Sequence, residues 1–206
     1  MYEVELKVRA DHDDLRAHLA EIDAERVRRV RQVDTYYDAP HRDFAETDEA
    51  LRVRRETGVD AEGVNAGGAG GAIEGADAAD IETKITYKGP LVEAESKTRE
   101  EFETAVADGD AAAGILDGLG FAPAATVEKD REFFAVDGYT VTLDEIADLG
   151  QFVEVEREVA ADEIEPVREE AAALLRTLGL DPDDQIRTSY LGLLLAAQDM
   201  PNNTSG

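Results

Sequence analysis

Residues 2 to 8 read Tyr-Glu-Val-Glu-Leu-Lys-Val, and the alternation is complete: Glu3, Glu5 and Lys7 fall on one face, Val4, Leu6 and Val8 on the other. Successive side chains of a β-strand project to opposite sides, so this stretch is a strand with one charged and one apolar face. The pattern recurs along the chain. Arg52 and Arg54 share a face, as do Lys84, Thr86 and Lys88; Lys97, Arg99, Glu101 and Glu103; Lys129 and Arg131; and Glu154 and Glu156. One such strand needs only solvent and cross-strand ion pairs on its charged side. A whole set, each with an apolar side to be covered by helices, is better read as a closed wall whose charged faces point inward.

Strand patterning predicts eight segments, at about 1–8, 29–38, 50–56, 81–89, 97–106, 125–136, 139–143 and 151–159. Ala39-Pro40 stops the second, Gly89-Pro90 marks a turn after the fourth, and Asp137-Gly138 is a hairpin dipeptide between the seventh and its predecessor. Helices are predicted from Asp11, a plausible N-cap, to about Ile22; from about Asp110 to Leu119, closed by Gly120; from about Pro166 to Leu178, stopped by Gly179; and from about Asp183 to Ala197. Strands joined mostly by hairpins or one helix favour an antiparallel sheet closed on itself. Residues 58–80 are rich in Gly, Ala, Asp and Glu without a hydrophobic pattern and are read as a flexible acidic insertion. The expected organisation is one domain over 1–198 and a disordered tail over 199–206.

The chain of 206 residues carries 21 Lys and Arg against 48 Asp and Glu, a formal net charge of −27. Such charge argues against nucleic acid or an anionic membrane as a partner. Acidic residues spread along the whole sequence, with Arg favoured over Lys, resemble the composition of cytosolic proteins from salt-loving microbes. The absence of Cys excludes disulfides and thiolate metal sites. No signal-peptide pattern and no apolar run near the roughly 20 residues of a membrane span is present. A cytoplasmic, soluble protein is expected.

Carboxylates and basic groups facing one interior have a clear chemical use. Hard oxygen ligands hold Mg²⁺ or Mn²⁺, which bridge phosphate oxygens, while Lys and Arg neutralise the rest of a polyphosphate. The Gly67–Gly71 run lacks the Lys-Ser/Thr of a phosphate-binding loop, and no Ser-His-Asp or Cys-His arrangement can be built.

The ordered series Glu3-Val-Glu5-Leu-Lys7, Gln32-Val-Asp34-Thr-Tyr36-Tyr37-Asp38, Leu51-Arg52-Val-Arg54, Tyr87-Lys88-Gly89-Pro90, Lys97-Thr-Arg99-Glu-Glu101, Glu128-Lys129-Asp-Arg131, Asp144 and Gln151-Phe152-Val-Glu154-Val-Glu156 resembles the CYTH superfamily, the triphosphate tunnel metalloenzymes. Within it the chain is most similar to the class IV adenylyl cyclases, helped by Asp184-Gln185-Ile-Arg187-Thr-Ser189-Tyr190 near the C-terminus. The resemblance implies an α+β, mainly antiparallel β fold: an eight-stranded closed barrel, or tunnel, with helices packed outside. It implies that Glu3, Glu5, Glu154 and Glu156 hold Mg²⁺ or Mn²⁺ with Asp144 as a further ligand or metal-water acceptor. It also implies that Arg52, Arg54, Lys88, Lys129 and Arg131 grip the triphosphate, and that Arg99, which with Glu101 matches the motif of the fifth strand, is a further substrate-binding residue. Lys7 would stand beside the metal and orient an attacking oxygen, so Lys7 and Asp144 are the expected catalytic residues.

The implied reaction is conversion of ATP to 3′,5′-cyclic AMP and pyrophosphate. Hydrolysis of tripolyphosphate, thiamine triphosphate or nucleoside triphosphates in the same tunnel is the alternative, because both reactions draw on the same residues. The expected partner is ATP or another triphosphate, and the resemblance leaves a homodimer open.

Overall fold

The computed structural model describes residues 2–59, 81–92 and 96–199. Most of the acidic insertion expected at 58–80, and nearly all of the tail expected at 199–206, lie outside the described residues.

Eight strands form the molecule: β1 (Tyr2–Arg9), β2 (Glu25–Asp38), β3 (Ala50–Gly58), β4 (Ile81–Leu91), β5 (Arg99–Val106), β6 (Ala122–Val136), β7 (Tyr139–Ile146) and β8 (Gly150–Val159). They close in the order β1-β5-β4-β3-β2-β6-β7-β8, every pairing antiparallel. The expected barrel with external helices is therefore present. Closure is uneven: β1 pairs with β8 along its whole length but meets β5 only through Tyr2–Glu100 and Glu3–Arg99. Asp137 and Gly138 both adopt positive φ (49° and 82°), the backbone that lets a two-residue turn follow the twist of β6 and β7.

Helices α1 (His12–Glu21) and α4 (Ile164–Thr177) cover the outer faces of β1, β7 and β8. Val4, Leu6 and Val8 meet Leu15, Leu19 and Leu175 in the largest apolar core. Parity does the rest: once the apolar face of β1 is buried outward, Glu3, Glu5 and Lys7 must face the barrel axis. Asp11 caps α1 by accepting from the amides of Asp13 and Asp14, as its place in the sequence suggests.

Three departures have physical causes. β2 starts at Glu25, four residues early; Glu25–Arg28 are exposed on both faces and carry no apolar alternation to reveal them. The short helix α2 (Phe44–Thr47) is one turn, capped by Asp43 and anchored by buried Phe44, too brief for a helical period to register. The helix expected over Asp183–Ala197 is broken: Pro182–Asp184 is a 3₁₀ turn, and α5 (Tyr190–Asp199) begins only at Tyr190. Between them the Ile186 amide donates to the Lys7 carbonyl at 2.7 Å, and Ser189 Oγ accepts from the Gly192 amide at 3.0 Å. Tertiary tethering and a serine cap thus replace one helical turn. Among the described residues no helix is long and apolar enough to cross a membrane.

α3 (Gly109–Gly118) packs Leu116 over β3 and completes a second outer cluster with Phe44, Leu51 and Val53.

Candidate functional site

A cavity of about 1090 Å³ runs along the barrel axis. Glu3, Glu5 and Lys7 from β1, Arg52 and Arg54 from β3, Lys88 from β4, Arg99 from β5, Lys129 and Arg131 from β6, and Glu154 and Glu156 from β8 all line it. Asp144 on β7 does not line it. It is fully buried behind Arg131, its direct cross-strand partner.

The register sets who meets whom. Arg54 stands opposite Asp34 and grips it bidentately, Nε to Oδ1 at 2.6 Å and Nη2 to Oδ2 at 2.7 Å. Arg52 adds a longer contact to the same carboxylate at 3.4 Å. Burial raises the Asp34 carboxyl, but the two guanidiniums outweigh it and hold the group well below the usual carboxylate range. Arg131 holds Asp144 through two nitrogens and reaches Glu154 Oε2 at 2.5 Å. Lys88 Nζ bridges Glu3 at 2.7 Å and Glu101 at 2.5 Å. Against the desolvation of burial, Lys88 draws the Glu3 carboxyl down to about 2.

Other cations are held loosely. Lys7 Nζ lies 3.7 Å from Glu5 and 3.8 Å from Glu154, and Lys129 Nζ lies 3.9 Å from Asp144, all beyond hydrogen-bond distance. Burial, then Lys97, lowers the Lys7 ammonium to about 8; burial, then Arg131, lowers Lys129 to about 7.

On the acidic side, Glu156 stands opposite Glu5. Burial and then the neighbouring carboxylates Glu3 and Glu154 push its carboxyl up to about 8. Glu5 Oε1 is buried without a hydrogen-bond partner. The β1–β8 wall therefore carries more carboxylate than its ammonium and guanidinium neighbours satisfy, and its donors are hard oxygens of the kind that hold Mg²⁺ or Mn²⁺. Among the described residues no three such groups already converge as a cage, so an ion would have to draw them together.

Arg99 lines the cavity, yet its guanidinium is occupied. It donates to the Asp48 carbonyl at 2.6 Å and to Asp48 Oδ2 at 2.9 Å, clamping a residue with φ of 54° at the end of α2. Lys84 also lines the cavity, near Glu103 at 3.5 Å. Three residues of the site carry no role on sequence grounds. Asp34 shares a strand face with Gln32 and Tyr36, and that parity could have revealed it. Lys97 places its ammonium 3.5 Å from Glu5. Tyr190, the first residue of α5, closes over Lys7 and Lys129, and no local pattern in the sequence announces that contact.

A barrel lined in this way matches a family model, the CYTH domain, over residues 1–190. The chain belongs to the CYTH family. A curated relative from Methanocaldococcus jannaschii, named as a candidate adenylate cyclase, is 32% identical over 195 residues, covering 94% of this chain and 98% of the relative. A Pyrococcus horikoshii protein of known structure superposes with a TM-score of 0.79 at 38% identity, covering 95% of this chain and 99% of the other. A Hippeastrum protein, described as a candidate adenylyl cyclase with a dominant triphosphatase activity, superposes with a TM-score of 0.62 at 17% identity over 97% of each chain, a likeness of fold.

Proposed function

We propose that the protein binds the triphosphate of ATP inside the barrel and converts ATP to 3′,5′-cyclic AMP and pyrophosphate. The observation that carries this reading is the placement of a four-glutamate wall, Glu3, Glu5, Glu154 and Glu156, in one cavity with Arg52, Arg54, Lys88, Lys129 and Arg131. Triphosphate tunnel enzymes of this superfamily act on triphosphates with divalent metal ions. In this chain the four glutamates would hold the metal, with Asp144 behind them orienting Arg131. A bound Mg²⁺ or Mn²⁺ would supply positive charge to the phosphoryl oxygens.

The remaining chemistry belongs to the side chains. The ribose 3′-hydroxyl attacks the α-phosphorus in line, the bond to the pyrophosphate oxygen breaks, and the hydroxyl proton leaves. Lys7 Nζ, beside Glu5 and Glu154, is suited to orient the attacking oxygen by donating to it, and the hydroxyl proton passes to water. Lys88, Lys129 and Arg131 meet the charge that accumulates on the departing pyrophosphate. No covalent intermediate is needed.

A second reading has its own support: the Hippeastrum protein is described by a dominant triphosphatase activity. In that reaction water attacks a terminal phosphorus, the bond to the bridging oxygen breaks to release orthophosphate, and the same cations hold the shortened phosphate chain that leaves. Purified protein offered ATP or tripolyphosphate with Mg²⁺ or Mn²⁺ in molar KCl separates the two. Cyclic AMP with pyrophosphate supports the cyclase; orthophosphate without cyclic product supports the triphosphatase. Glu154→Gln is expected to lower either turnover by roughly a hundredfold or more. Wild-type rates in that variant would remove the glutamate wall from the mechanism.

A further inference from the structure

The last strand of the barrel is followed by a return of the chain to the tunnel. Ile186 ties this segment to β1 through the Lys7 carbonyl, and Ser189 caps α5, so Tyr190 is delivered into the barrel at a fixed point. Its ring packs edge-on against Phe152, centroids 5.1 Å apart. Lys7 Nζ lies 4.2 Å from the ring centroid and Lys129 Nζ lies 5.3 Å from it. An aromatic face attracts ammonium groups and leaves their N–H bonds free to point elsewhere. These are the same two lysines whose carboxylate contacts exceed hydrogen-bond distance.

The Tyr190 hydroxyl itself is buried and has no hydrogen-bond partner among the described residues. A buried tyrosine usually places its O–H on an acceptor, and one left unpaired destabilises the fold that contains it. Burial, followed by the negative field of Asp144 and Glu154, keeps the phenol protonated, so it can only act as a donor or a neutral acceptor. Carboxylates lie in the neighbourhood, yet none accepts from it. Its surroundings suit an oxyanion that arrives between the two lysines.

We propose that the Tyr190 hydroxyl donates a hydrogen bond to a phosphoryl oxygen of the triphosphate held by Lys7 and Lys129, making Tyr190 a substrate-binding residue of the tunnel. The inference rests on the reading of the tunnel as a triphosphate site. Its distinctive consequence is that stability and binding should separate. Removing an unpaired buried hydroxyl relieves the folded protein, whereas removing a donor to an anion weakens the complex.

The test is Y190F, which keeps the ring over both lysines. Tripolyphosphate is titrated calorimetrically into wild type and variant in molar KCl, with Mg²⁺ and separately with EDTA, and both proteins are melted without ligand. The variant is expected to melt at or above the wild-type temperature while its Kd rises about tenfold, the effect of losing a hydrogen bond to a charged acceptor. In turnover, KM should rise with little change in kcat, as for an interaction equal in ground and transition states. Wild-type affinity in Y190F overturns the proposal, and so does a melting temperature several degrees lower, which would show that the hydroxyl already serves the fold. A wild-type protein that takes up no tripolyphosphate defeats the tunnel reading and this inference together; a wild type that binds, matched by Y190F, defeats this inference alone.

Discussion

Arg54 and Lys129 line one cavity, but they are held in opposite ways. Arg54 is locked to Asp34 by two short bonds, while Lys129 Nζ approaches its nearest paired carboxylate, Asp144, only to 3.9 Å. The β2–β3 side of the tunnel thus settles its charges within the fold. The end formed by Lys7, Lys129 and Tyr190 leaves them to be settled by whatever binds. A charged tunnel is therefore two structures in one: a scaffold of closed ion pairs and a patch of loosely committed cations.

The largest effect should come from opening the scaffold. Asp34→Ala would leave Arg54 and Arg52 buried without their shared carboxylate, and breaking one side of a buried pair costs about 3–5 kcal/mol. Urea unfolding should show that loss. The sign with pH follows from the depressed Asp34 pKa: the contribution is full above the unfolded value of about 3.9 and is lost as pH falls below it. A variant within about 1 kcal/mol of wild type would show that the pair is not what holds β2 to β3 here.

Lys129→Met is the opposite case. Removing an ammonium that burial already disfavours should leave stability unchanged or higher, while tripolyphosphate affinity falls by roughly ten- to a hundredfold. Equal losses of stability in the Asp34 and Lys129 variants would erase the distinction between the two regions.

How much of this was legible in the sequence depends on which property is asked for. Facing direction was legible, because parity along β1, β3 and β8 commits every second residue to one side, and Glu5, Arg54 and Glu154 all reach the cavity. Pairing was not, because register is a relation between strands that neither strand contains. Asp144 resembles a ligand in sequence but lies opposite Arg131 and behind the cavity wall, and Arg99 turns out to clamp Asp48. Tyr190 depends on a break in the C-terminal helix that is tied by a hydrogen bond to Lys7, some 180 residues away, a contact that no local pattern contains.

The loosely held lysines also differ from Arg54 in their response to pH. With ammonium pKa values lowered to about 7 and about 8, Lys129 and Lys7 lose charge near neutrality, whereas an arriving anion favours their protonated forms. Metal-free tripolyphosphate binding near pH 8 should take up protons, seen as a binding heat that varies with the ionisation heat of the buffer. Affinity should fall as pH rises from about 7 to 9, by up to roughly tenfold per unit for each group titrating. In the unliganded protein the same shifts act in the other direction: an unfolded lysine near 10.4 binds more protons than the folded one, so their contribution to stability rises with pH between about 7 and 10. An affinity flat over that range would place both lysines outside the anion site.

The smallest effect is predicted one residue along the same strand. Arg55 holds Asp110 at 2.6 Å, the distance at which Arg54 holds Asp34, but parity turns Arg55 outward and the Asp110 side chain is 94% exposed. Water already solvates that carboxylate, and salt screens the pair, so Asp110→Ala should change stability by about 0.5 kcal/mol or less. The same substitution logic applied to Asp34 predicts several-fold more, although the two contacts are equal in length. What differs is the medium: a carboxylate lost in the interior strands a desolvated guanidinium, while one lost at the surface releases a guanidinium to water. Paired urea titrations of the two variants at low and molar KCl isolate that difference. The Asp110 effect should vanish in high salt and the Asp34 effect should persist; comparable losses in both would mean that distance, rather than burial, governs the strength of ion pairs along β3.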